Sequence, residues 1–165
     1  MTNLIALLHP AVQQGLERCA IRGEVMECDP NLADTAAFCE HYKFAPDQTC
    51  NAIIAATKTE PVKYACCVIL ATCKLDVNKK VCSLLEVKRC SFASAEQTLE
   101  LTNMLIGGVT PIGLPDLPIY VDAAVMNNER VVLGGGNRCT KILLNPAELK
   151  KLPNMQVIEQ LGLPR

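Results

Sequence analysis

Two apolar runs organise the middle of the chain: CNAIIAAT, from Cys50 to Thr57, and VKYACCVIL, from Val62 to Leu70. Both read as strands, and the four residues KTEP between them suit a hairpin. Upstream, apolar positions in LIALLHPAVQQGLER (4–18) recur at helical spacing, with Pro10 marking where the helix proper starts. IRGEVMEC then alternates as a strand does. Asp29 to Lys43 returns to a helical pattern, with Asp29 ahead of Pro30 as cap and first turn. Downstream, Asp76 is placed to cap a short helix over VNKKVCSLL, and VKRCSFA reads as extended. Ser94 and Gln97 have the spacing of a capping box, which starts a helix over AEQTLELT. Strands follow near LPIYVDAAV, RVVLG and TKILL, and Asn145, Pro146 and Glu148 open a helix over PAELKKL.

Helices interspersed with paired strands predict a mixed α/β or α+β architecture rather than a bundle. The length of 165 residues fits one domain spanning 1–165, and no internal repeat or linker divides it.

Composition sharpens this reading. Half the residues are apolar and a fifth charged, as expected of a chain that folds on its own. The formal net charge of −1 provides no global attraction for nucleic acid. Any such contact must be local. The best local candidate runs from Lys74 to Arg89, where Lys74, Lys79, Lys80, Lys88 and Arg89 outnumber Asp76 and Glu86; a solvated helix face would give the same pattern. The ten cysteines include no CxxC and sit mostly in apolar segments, where cysteine acts as a small hydrophobe. Reduced thiols and a cytoplasmic location are expected, because MTNLIALLHP lacks a basic leader region and no apolar run is long enough for a membrane span.

The familiar catalytic signatures are missing: there is no GxSxG, HExxH or P-loop lysine motif. His9 and His41 have no partners spaced for a triad or a metal site, and neither a metal nor a cofactor is expected. Backbone chemistry remains. In NMLIGGVTPIGLPDLPIYVD, glycines 107, 108 and 113 alternate with prolines 111, 115 and 118. Glycine lets main-chain N–H groups approach a substrate closely, while Pro111 fixes its own φ and pushes Thr110 toward extended geometry. Such a loop can present fixed donors to a developing oxyanion. The same residue types also make a structural turn leading into a strand. GGGNR (134–138) lies between strands instead of opening a helix, so a bulge or tight connection competes there with phosphate binding.

The order GGVTPIGLPDLPIYVD, VVLGGGNR, KILLNPAELKKL resembles the YbaK and prolyl-tRNA synthetase-associated editing-domain family of aminoacyl-tRNA deacylases, most strongly over residues 103–152. The resemblance implies a mixed sheet curved into a partial barrel with flanking helices. It implies trans-acting hydrolysis of the ester on a mischarged tRNA carrying a small amino acid, with tRNA as partner and a synthetase nearby. The family's GxxxP motif falls on Gly107 to Pro111. The catalytic residues it implies are Gly107 and Gly108 as backbone donors, Thr110 orienting water or substrate, and Pro111 stiffening the loop. Asn51 would position the terminal nucleotide, Asp122 would contact the substrate ammonium or stabilise a turn, and Gly134, Gly135 and Gly136 would lie near the pocket. At Asn51 many members carry lysine, and an amide cannot supply the ammonium's charge. A family member that binds a tRNA end or a synthetase without turnover is therefore an alternative.

Overall fold

The computed structural model describes residues 4–165; the first three residues of the MTNLIALLHP segment lie outside it. A 3-10 turn at Leu4–Leu7 precedes α1 (Pro10–Arg18), whose N-cap is His9: its Nδ1 accepts the amide of Ala11. Strand β1 (Glu24–Glu27) leads to the 3-10 turn Pro30–Leu32 and then α2 (Thr35–Tyr42). The continuous helix expected over Asp29 to Lys43 is thus divided. Asp29 caps the first turn as expected, but Asp34 adopts an extended backbone, φ −66° and ψ 141°, and restarts the helix.

Next come β2 (Cys50–Thr57), β3 (Tyr64–Leu70) and β4 (Cys73–Leu75). A π-helical turn over Val77–Val81 continues into α3 (Cys82–Leu84), and β5 (Cys90–Phe92) follows. Helix α4 (Ala95–Thr102) carries the expected reciprocal capping box between Ser94 and Gln97. The chain then forms β6 (Ile119–Asp122), β7 (Val131–Gly134), β8 (Thr140–Leu144), β9 (Met155–Ile158) and β10 (Gly162–Pro164). PAELKK is a 3-10 helix, capped by Asn145 as its sequence suggests.

A five-stranded mixed sheet, in the order β5-β2-β3-β6-β9, carries the core. β2 and β3 pair antiparallel from Cys50↔Leu70 to Ala56↔Tyr64, while β3–β6 and β6–β9 are parallel. Cys66, Val68 and Leu70 face one apolar cluster, and Ala65, Cys67 and Ile69 face another. Burial on both faces explains why β3 lacks alternation. A second, antiparallel sheet, β1-β8-β7, meets the first at a parallel bridge between Thr49 and Val132. β4 and β10 form a separate two-stranded ribbon. The architecture is the expected mixed α/β fold with flanking helices, although its sheets do not close into a barrel.

All ten cysteines are free thiols. Burial pushes the Cys50 and Cys67 thiols up to about 12 and Cys66 well above its ordinary value. They act as core residues, since a thiol this hard to ionise is a poor nucleophile. Among the described residues, no helix is long and apolar enough to cross a membrane.

Candidate active site

The outer edge of β2 is covered unevenly. Thr49 and Thr57 make backbone hydrogen bonds toward β3 and its flanks, so odd-numbered residues of the strand face β3 and even-numbered ones face outward. At one end β7 meets this edge near Cys50; at the other, β5 pairs with Ala55–Thr57, and the Ile54 carbonyl accepts the Ala93 amide at 2.8 Å. Ala52 lies in the gap. There a cavity of about 320 Å³ opens, lined by Asn51, Ala52, Thr98, Gly107, Val109, Gly134 and Lys141 among others.

The loop over this gap is shaped by glycine. The Gly108 amide donates to the Leu105 carbonyl at 2.9 Å, closing a turn whose third residue, Gly107, has φ +93°. A glycine suits that position because L side chains are strained there. A Cβ on Gly107 would also come 2.2 Å from Arg138 Nη1. Gly134 permits an equally close approach: its Cβ would lie 2.6 Å from the Gly108 carbonyl oxygen and 2.7 Å from that of Val109. The Gly136 amide then donates to the Gly108 carbonyl at 2.7 Å, so the two glycine loops are joined backbone to backbone. Asn137 holds the second loop in place, donating to the Leu7 carbonyl and accepting the Thr140 hydroxyl and the Cys139 amide.

Two cations fasten the first loop to the rest of the fold. Arg138 donates to the Ile106 carbonyl at 2.7 Å and to the Pro30 carbonyl at 3.1 Å, and it pairs with Asp34 at 3.0 Å. The Arg138 guanidinium holds the Asp34 carboxyl below its ordinary pKa. Lys141, paired with Gly134 across β7–β8, is 6% exposed. Its ammonium donates to the carbonyls of Ala33 at 2.7 Å and Gly107 at 2.8 Å, and lies 5.3 Å from the centroid of the Phe38 ring. Burial lowers its pKa, with the nearby Cys28 opposing that shift.

Of the sequence-predicted residues, Asn51, Gly107 and Gly134 line the cavity. The Asn51 side-chain oxygen accepts the Thr35 hydroxyl. Gly108, Gly135 and Gly136 are not among the cavity's lining residues. The Gly108 amide already closes its turn, so its expected role as a substrate donor is corrected to one of loop architecture. Gly107 and Val109 both line the cavity, and among the described residues neither amide has a backbone acceptor. Thr110 is fully buried, and its hydroxyl has no partner among the described residues. Pro111 borders a different cavity beside Gly15 and Gly113.

Asp122 also lies away from this cavity. Its carboxylate accepts the Gly162 amide at 3.1 Å and is surrounded by the amides of Ala123, Ala124 and Leu161. It therefore joins β6 to β10, the turn-stabilising alternative of the two expected for it. The residue missed from the sequence is Lys141. Its signal was the alternation of TKILL, which places Lys141 on the same face as Leu143 in an otherwise apolar strand.

Residues 29–152 match the profile of the aminoacyl-tRNA editing domain family, and the chain belongs to that family. Among the solved structures that share the fold are two that this chain covers almost entirely. One, proposed to be a trans-editing enzyme for prolyl tRNA synthetase, is 22% identical with a TM-score of 0.78, covering 96% of this chain and 97% of that one. The other, described as hypothetical protein APE2540, is 19% identical with a TM-score of 0.82, covering 93% and 99%.

Proposed function

We propose that this chain is a trans-acting deacylase that hydrolyses the ester linking a small amino acid to the 3′ end of a mischarged tRNA. Water adds to the ester carbonyl, and the products are the free amino acid and a tRNA with its terminal ribose hydroxyl restored. The observation that carries this reading is the pair of backbone amides, Gly107 and Val109, without backbone acceptors among the described residues at the wall of a small cavity. Donors fixed before the reaction stabilise an oxyanion without reorganising, and an activated ester needs little beyond that and orientation. Lys141 holds the Gly107 carbonyl and so sets the direction of the adjoining peptide planes. Asn51 positions the terminal nucleotide, and the neighbouring ribose hydroxyl or an ordered water relays the proton.

A small site supports small substrates. About 320 Å³ is at the lower end of ligand-pocket volumes, and it must also admit the terminal ribose. Alanine, serine, threonine and cysteine are the expected class. One methylene changes binding by only about 1–3 kcal/mol, so synthetase pockets admit such errors and a second site must clear them. The enzyme would meet its substrate on tRNA released by, or held near, a synthetase.

A second reading rests on Asn51, which lacks the charge of the lysine common at that position: a protein that binds tRNA ends without turnover. Deacylation assays on tRNAs mischarged with each of the four amino acids, run on the parent and on Asn51→Lys, separate the two. Hydrolysis of at least one ester by the parent supports the deacylase. Binding of tRNA with no hydrolysis by either protein assigns the chain to the binding reading.

A further inference from the structure

Beside the candidate site lies a larger groove of about 870 Å³. Its rim brings together Lys58 from the β2–β3 connection, Lys74 from β4, and Lys88 and Arg89 from the approach to β5. All four are exposed, and the three ion pairs among the described residues lie elsewhere. Asp76 is the one carboxylate in the lining, and it accepts the Lys79 amide to cap the turn that follows. A solvated helix face would place its charges on one helix; here they converge from three separate segments. In a chain of net charge −1, this is a local concentration of positive potential.

Phe92 connects this groove to the site. It lines both cavities and is 57% exposed, an unusual placement for one of only three phenylalanines in the chain. A cationic track ending at an exposed aromatic ring suits a nucleic-acid strand: the cations meet phosphates, and the ring stacks on a base.

We propose that this groove holds the phosphate backbone of the tRNA acceptor end, with Phe92 stacking on a base as the strand passes into the ester-binding cavity. The proposal rests on the deacylase reading for the identity of the RNA, but its test does not require turnover. Lys74→Glu combined with Lys88→Glu should weaken tRNA binding by the full-length protein. In a salt series it should also flatten the dependence of log affinity on log salt by about 2. Phe92→Ala should weaken binding about tenfold while leaving that slope intact. Lys150→Glu, an exposed charge change away from the groove, should do neither.

If the parent deacylates tRNA, the groove variant should raise KM for aminoacyl-tRNA and leave hydrolysis of a 3′-aminoacyl-adenosine, too short to reach the groove, unchanged. Unchanged tRNA affinity and salt slope in the double variant overturn the proposal, whatever the parent's activity. Groove-dependent binding of a synthetic acidic peptide, without groove-dependent tRNA binding, assigns the surface to a protein partner and overturns it as well. A parent that hydrolyses no ester, yet loses tRNA affinity when the groove is reversed, removes the deacylase reading and upholds the groove.

Discussion

The Lys141 ammonium and the Gly107 carbonyl oxygen are 2.8 Å apart, joining β8 to the loop that covers the open edge of β2. The same nitrogen reaches the Ala33 carbonyl just ahead of α2. A single buried charge therefore fixes three parts of the site. Replacing it leaves the buried Ala33 carbonyl and the half-buried Gly107 carbonyl without this donor, and a buried carbonyl left unsatisfied costs about 1–3 kcal/mol.

Lys141→Met is therefore expected to lower stability by about 2–4 kcal/mol in urea titration and to reduce deacylation kcat by about 100-fold, comparable to losing one oxyanion donor. Wild-type kcat in a folded Lys141→Met protein would show that the ammonium does not organise the loop.

Gly107→Ala places a methyl group 2.2 Å from Arg138 Nη1 at a backbone φ of +93°. The loop must move or Arg138 must release Ile106 and Asp34. Stability should fall by about 1–3 kcal/mol, accompanied by loss of deacylation. A crystal structure of the variant with an unmoved loop and intact Arg138 contacts would contradict this account.

Thr110 offers a test in the opposite direction. Its buried hydroxyl has no partner among the described residues, so Thr110→Val removes a polar group at nearly constant shape. The variant should melt at the same or a higher temperature, with a gain of up to about 1 kcal/mol, and keep its activity. A loss of activity without a loss of stability would restore Thr110 to the chemistry.

Asp122 makes stability depend on pH. Burial raises its pKa in the folded protein, against the four surrounding amides that lower it. A folded-state pKa above the unfolded value means the native protein binds more protons between the two. Its stabilising contribution is complete below the ordinary carboxylate pKa and is lost as pH rises through the raised one. Denaturation curves across the acid range should show this fall in the parent and a flatter profile in Asp122→Asn.

The sequence by itself determined whatever depends on neighbouring residues. The limits of β2, the Ser94–Gln97 capping box, the Asn145 cap and the glycine turn at Gly107 are all local, because apolar period, side-chain capping and allowed φ are properties of a few successive residues. The family pattern in the glycine loop was legible for the same reason. Only the tertiary structure decided the partners across the chain. β4, β9 and β10 are short and carry little periodic signal; they become strands because Leu75 meets Gly162 and Val121 meets Val157. Asp122, for which substrate contact and turn stabilisation were both open in the sequence, ties β6 to β10 because the Gly162 amide lies beside it. Lys141 became central because long-range packing closed Ala33, Phe38 and Gly107 around its nitrogen. Burying an ammonium is unfavourable until those acceptors are in place, and no local pattern shows that they will be.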